Sequence, residues 1–258
     1  MKIKFNNEIL KGEIIIDRPL TVFTGRNGTG KTYAADAIKK NAMKNRLLPT
    51  EKLYESQRRD GTYLSYDIAA IACEMELKIF GINIRTRHYC DFYEKEGKEL
   101  FTGGHNIPDS LKEFTKIILR LKYGTKDDGV LILDCPETRQ DAENIIQIAR
   151  FITRLANAGL RIILITNDHY LKNQLSNLVL LGILPDSEAK DNFMKEFSLT
   201  YDMALAHTNA RHYDFANGEV KQVAVDADGF NFKDYEVPEK LYDERISLFG
   251  LWNENKGI

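Results

Sequence analysis

Residues 20–32, Leu-Thr-Val-Phe-Thr-Gly-Arg-Asn-Gly-Thr-Gly-Lys-Thr, constrain the fold of this chain more than any other stretch. The apolar, β-branched and aromatic run from Leu20 to Phe23 predicts a strand, and the helix formers from Tyr33 to Lys40 predict a helix. Between them stands the pattern Gly25-x-x-x-x-Gly30-Lys31-Thr32. Strand, glycine-rich loop and helix in this order describe a phosphate-binding loop. Gly25, Gly28 and Gly30 lack a Cβ, so the backbone can turn its N–H groups around an anion. Lys31 is expected to reach the β- and γ-phosphates, and Thr32 to offer its hydroxyl to Mg²⁺. The positive end of the helix favours the same charge. Arg26, Asn27, Thr29 and Tyr33 complete the expected set around ATP.

A second chemical motif lies at Gly129-Val-Leu-Ile-Leu-Asp134-Cys135-Pro136-Glu137. Val130 to Leu133 is a short continuous apolar run, as a strand buried on both faces of a parallel sheet requires. Asp134 ends that strand, where ligands bind in open α/β sheets, and its carboxylate can help hold the Mg²⁺ of a bound nucleotide. A helix predicted from Asp141 to Ala158, closed by Gly159, leads to a further buried strand, Arg161 to Ile165, which ends at Thr166-Asn167-Asp168-His169. This is a β-α-β crossover. His169 is read either as a group near the γ-phosphate or as a histidine satisfied within a turn.

Before the loop, two strands and a turn are expected in residues 1–16, placing an antiparallel edge next to the nucleotide-binding strand. After the loop helix, residues 50–64 read as a polar loop, Asp67 to Phe80 as a helix and Ile82 to Cys90 as a strand. A hairpin turning at Glu96-Gly97-Lys98 delivers the chain to Phe101-Thr102-Gly103-Gly104, and a helix follows from Ser110 to Tyr123. Residues 188–205 read as helical. His207 to Phe215 and Glu219 to Val225 then alternate around Asn217-Gly218, a strong hairpin signal, and a last helix is expected from Pro238 to Leu248. The organisation expected is one domain over 1–258, with an insertion at about 50–100 and a hairpin-helix extension at about 206–258.

Composition excludes several classes. With 43% hydrophobic and 29% charged residues and a formal charge of −2, the chain has an ordinary globular composition, and its sum of charge argues for no nucleic-acid partner. Three cysteines, Cys73, Cys90 and Cys135, show no metal-binding spacing and suggest a reducing compartment. No stretch approaches the roughly 18 apolar residues of a membrane helix, and Met1 to Phe5 lacks a signal-peptide core. A cytoplasmic protein without a membrane partner is expected.

Taken together, the N-terminal hairpin, GRNGTGKT, FTGG before a helix, LILDCPE and ITNDHYLKNQLSNLV resemble the ABC-type ATPases. The resemblance leans toward the soluble branch that includes SMC and RecF proteins and the ATPases of the overcoming-lysogenisation-defect type. It implies an α/β P-loop fold, mostly parallel and flanked by helices, with an antiparallel N-terminal part. It also implies a homodimer formed on ATP, in which Thr102, Gly103 and Gly104 of one copy face the γ-phosphate held by the other. Soluble relatives often act beside an effector in bacterial antiviral defence or DNA repair, so an effector partner is an expectation by analogy. Three departures bear on hydrolysis. The family's water-orienting glutamate follows the metal-binding aspartate, where this chain has Cys135, with Glu137 two residues on. His105-Asn-Ile-Pro108 separates FTGG from its helix, and a strict alignment puts the family's switch histidine at Asn167, with His169 displaced by two. The expected catalytic set is Lys31, Glu137 and His169. A P-loop kinase, with Arg58-Arg59 as a lid pair, and a non-hydrolytic ATP switch stand as alternatives.

Overall fold

In a computed structural model, the described residues are 1–44, 66–81, 83–87, 90–95, 98–102, 114–115, 117–119, 121–122, 130–226, 229–230 and 232. Gly103, Gly104, the loop at 50–64 with Arg58-Arg59, and the last expected helix lie outside them. A seven-stranded sheet organises the chain. Its members are β1 (Lys2–Asn6), β2 (Lys11–Ile15), β3 (Leu20–Gly25), β7 (Val130–Asp134), β8 (Arg161–Ile165), β9 (Ala210–Ala216) and β10 (Glu219–Val223). Their order is β1-β2-β10-β9-β3-β8-β7. β9, β3, β8 and β7 run parallel, and β1–β2 and β9–β10 are antiparallel hairpins. A separate three-stranded antiparallel sheet holds β4 (Asn83–Arg87), β5 (Cys90–Lys95) and β6 (Lys98–Thr102), and β11 (Val225–Asp226) pairs with β12 (Gly229–Phe230).

The central strands read as unbroken apolar runs because both of their faces are covered. Alternate residues divide between two cores. Leu20, Val22, Leu131, Leu133, Ile162 and Leu164 join one, beneath helices α2 (Tyr66–Phe80), α3 (Ala142–Asn157) and α4 (His169–Ile183). Phe23, Ile163 and Ile165 join the other, with Ala34 and Ile38 of α1 (Lys31–Lys44) and with Tyr213 and Phe215 of β9. Phe23 is fully buried, edge-on to Tyr213. Burial of such a ring contributes roughly 3 kcal/mol.

Helix starts follow side-chain capping. Asp141 accepts from the Asn144 N–H at the start of α3, and Asp168 from the Leu171 N–H at the start of α4. Residues 114–115, 117–119 and 121–122 are helical, and Lys122 donates to Glu76 at 2.8 Å and to the Ile84 carbonyl. Glu76, fully buried on α2, also accepts the Ile84 N–H at 2.9 Å. An ion pair so placed, with its remaining oxygen satisfied, ties α2, β4 and the 114–122 helix together.

Two expectations are corrected. The N-terminal hairpin does not neighbour the nucleotide-binding strand: β10 pairs with β2 and β9 with β3, so the C-terminal hairpin stands between them. The expected helix over 188–205 is a shorter α5 (Glu188–Glu196), because Ser198 takes φ 52° and a 3₁₀ turn follows at Tyr201–Met203. No helix among the described residues is long and apolar enough to cross a membrane.

Candidate nucleotide-binding site

β3 and β8 are adjacent and parallel, yet the helices that follow them pack on opposite faces: Ala34 and Ile38 of α1 on one, Leu171, Leu175 and Val179 of α4 on the other. A crevice therefore opens outside their carboxyl ends, the position at which α/β sheets of this kind bind ligands. Residues 25–30 form one wall of this crevice and Thr166-Asn167 the other. The two are joined directly, since the Gly25 N–H donates to Asn167 Oδ1 at 3.2 Å and Asn167 Nδ2 to Asn27 Oδ1 at 3.4 Å.

The loop's backbone explains its glycines. Gly25 has φ 137°, and a Cβ there would stand 2.2 Å from the Phe215 carbonyl oxygen on β9. Gly28 and Gly30 also have positive φ, 78° and 100°. Thr29 closes the turn by donating to the Arg26 carbonyl at 2.8 Å. Lys31 is 7% exposed and folds back onto its own loop, donating to the Gly25 and Arg26 carbonyls. Burial is the largest influence on its ammonium and lowers its pKa, against the opposing pull of Cys135, Asp134 and Asp214. Tyr33, in the first turn of α1, is part-exposed; Asn7 Nδ2 donates to its hydroxyl at 3.0 Å and Phe5 packs beside its ring.

Thr32 and Asp134, separated by a hundred residues of sequence, meet across the crevice: Thr32 Oγ1 donates to Asp134 Oδ2 at 3.3 Å, and both residues are exposed. A hydroxyl and one carboxylate are the hard oxygen donors that Mg²⁺ takes from protein when phosphates and water supply the rest, so these residues fit that ion. No group of three or more His, Cys, Asp or Glu with metal-binding geometry occurs among the described residues, which leaves this pair as the fitting one.

Immediately after Asp134 the chain turns sharply. Cys135 takes φ 49°, a left-handed conformation uncommon for a side-chain-bearing residue, while its N–H donates to the Ile165 carbonyl at 2.9 Å. Burial, then Glu137 and Asp134, push its thiol up to about 11, so it is no base at neutral pH. The turn returns Glu137 to the end of β8, where Glu137 Oε1 accepts from Thr166 Oγ1 at 2.7 Å. Glu137 Oε2 is buried with no hydrogen-bond partner. Burial raises the Glu137 pKa, and the Thr166 hydroxyl and nearby backbone N–H groups oppose the shift.

The structure thus brings together Gly25, Asn27, Lys31, Thr32 and Asp134, and sets Glu137 against Thr166 at the end of β8. His169 opens α4 on its exposed side, and it is Asn167 whose side chain meets the loop. Thr102 ends β6 in the separate sheet. Sequence reading did not single out Thr166, Asn7 or His212. His212, fully buried on β9, has Nε2 2.7 Å from Thr24 Oγ1, just before Gly25. A threonine ending a buried strand and a histidine within an alternating one carry no local signal of such roles.

No protein-family model matches this chain, and no curated protein matches it. Among solved structures it is similar to the SMC head domain from Thermotoga maritima, with 12% identity and a TM-score of 0.42 over 83% of this chain and 93% of that one. The strand order and the strand–loop–helix at β3 and α1 are those of a P-loop NTPase fold.

Proposed function

We propose that this chain is an ABC-type ATPase of a single domain, which binds ATP with Mg²⁺ and uses closure of a homodimer to regulate a partner protein. The observation that carries the reading is the Thr32–Asp134 contact at 3.3 Å beside the phosphate loop. Lys31 leaves the Gly25 and Arg26 carbonyls to meet the β- and γ-phosphates, and the loop N–H groups of residues 25–30 surround the same oxygens. Exchanging those carbonyl contacts for phosphate contacts offsets the burial that depresses the ammonium. Thr32 and Asp134 hold Mg²⁺, which neutralises charge on the phosphates. Tyr33 and Asn7 lie beside the first turn of α1, within the nucleotide's surroundings.

In hydrolysis, the oxygen of an attacking water bonds to the γ-phosphorus. The bond to the β–γ bridging oxygen breaks, its electron pair leaves with ADP, and Glu137 accepts the water's proton. Asn167, bound to Gly25 and Asn27, occupies the switch position that couples the crevice to the loop, and His169 is a secondary candidate near the water. Because a glutamate two residues late replaces the usual one, turnover is slow. In the dimer, Thr102, Gly103 and Gly104 of each copy face the partner copy's γ-phosphate. An effector in antiviral defence or DNA repair is the class of partner this reading suggests.

The test follows mass by light scattering, with and without Mg-ATP, together with released phosphate and labelled-nucleotide affinity. The native chain should dimerise on ATP and release phosphate slowly. Lys31→Ala should lose at least tenfold in affinity, about 1.4 kcal/mol or more. Unchanged affinity in that variant would sink the proposal, and transfer of label to an acceptor would show a kinase instead.

A further inference from the structure

Thr166 belongs to no phosphate loop or metal pair, yet its surroundings define it more tightly than those of any other hydroxyl near the crevice. It is fully buried at the residue after β8. Its Oγ1 accepts the Asp168 N–H at 3.1 Å, within the turn that caps α4. Its own proton goes to Glu137 Oε1 at 2.7 Å. A hydroxyl has one proton to donate, and a β-branched side chain has few rotamers, so the acceptor contact from Asp168 fixes where that proton points. On the Glu137 side, the contact engages one carboxylate oxygen and leaves Oε2 buried without a partner. A buried oxygen left without a donor is costly, and such groups cluster where chemistry needs a free acceptor.

Resting on the reading of Glu137 as the acceptor of the water's proton, we infer that Thr166 is a positioning residue. Its hydrogen bond orients the Glu137 carboxylate so that Oε2 remains free for the attacking water. Two features of the chain make such a clamp necessary. Glu137 reaches β8 from a turn, not from the end of a strand, because Cys135 adopts φ 49°. A side chain carried by a turn lacks the fixed direction that a strand imposes, and the contact to Thr166 restores it. The neighbouring Asn167 binds the Gly25 N–H, so the same two-residue segment sets both the glutamate and the first residue of the phosphate loop.

The experiment compares Thr166→Val, which keeps shape and removes the hydroxyl, with Thr166→Ser, which keeps the hydroxyl, and uses Glu137→Gln as reference. kcat, KM for ATP, the dissociation constant for Mg-ATP and the melting temperature are measured on the full chain. Thr166→Val should lower kcat about 10- to 100-fold, in the range of a lost general base, while KM and the dissociation constant stay within about twofold. Thr166→Ser should return kcat to within about threefold of the native value. Thr166→Ala carries the same comparison if the valine variant does not fold. Native kcat in Thr166→Val with Glu137→Gln inactive would overturn the positioning role alone, as would a serine variant as slow as the valine one. Native turnover in Glu137→Gln, or an absence of phosphate release from the native chain, would remove the Glu137 reading and this inference with it.

Discussion

Acidification should unfold this protein through one histidine behind the phosphate loop. His212 is fully buried, and burial is the main reason its pKa falls from 6.5 to about 4, with Asp214 opposing and Lys172 reinforcing the shift. Its Nδ1 has no partner among the described residues, and Phe230 and Phe232 flank the ring. A proton added there becomes a buried donor and charge with nothing to meet it. Between the folded value near 4 and the unfolded value of 6.5, the unfolded chain binds more protons, so stability rises with pH. The contribution is complete above the unfolded value and is lost as pH falls toward the folded one. From about pH 7 to about pH 5 the loss integrates to about 2 kcal/mol, of about 3 kcal/mol over the full window. Urea unfolding of the native chain and of His212→Gln at both pH values tests this, since carboxylates common to the two proteins cancel in the difference. The native chain should lose about 2 kcal/mol more than the variant. Parallel losses would refute the assignment of a buried, neutral imidazole.

Two further outcomes follow from the site. Gly25→Ala places a Cβ 2.2 Å from the Phe215 carbonyl oxygen at φ 137°, so the variant should lose more than about 2 kcal/mol in thermal unfolding and its nucleotide affinity with it; an unchanged melting temperature would contradict the packing of β3 on β9. Cys135→Glu restores a glutamate beside the metal-binding aspartate, but it adds a third carboxylate next to Asp134 and Glu137, which already help push the Cys135 thiol up to about 11. Steady-state phosphate release should stay within about threefold of native, and a tenfold rise would show that Glu137 does not serve the water.

The parts legible in the sequence are those whose local pattern and tertiary setting agree. β3, β7 and β8 are continuous apolar runs because helices cover both faces, and the glycines of the loop sit where positive φ is needed. β9 was legible as a strand but not as a central one. Its alternation suggests a solvent face, yet the polar residues on that face, His212 and Asp214, are 0% and 5% exposed. No periodicity records that β9–β10 enters the sheet between β2 and β3, because strand order is set by long-range pairing. The same reasoning explains the misplaced glutamate. A cysteine at φ 49° has no signature in sequence, since few side-chain-bearing residues adopt that region and none announces it. Once the chain reverses there, residue 137 is the one that comes back to β8, and position 135 is spent in making the turn. Local rules thus fail at the crevice itself, where strain at Cys135 and an unpartnered oxygen on Glu137 coincide, and such coincidence is expected where function, not stability, sets the geometry.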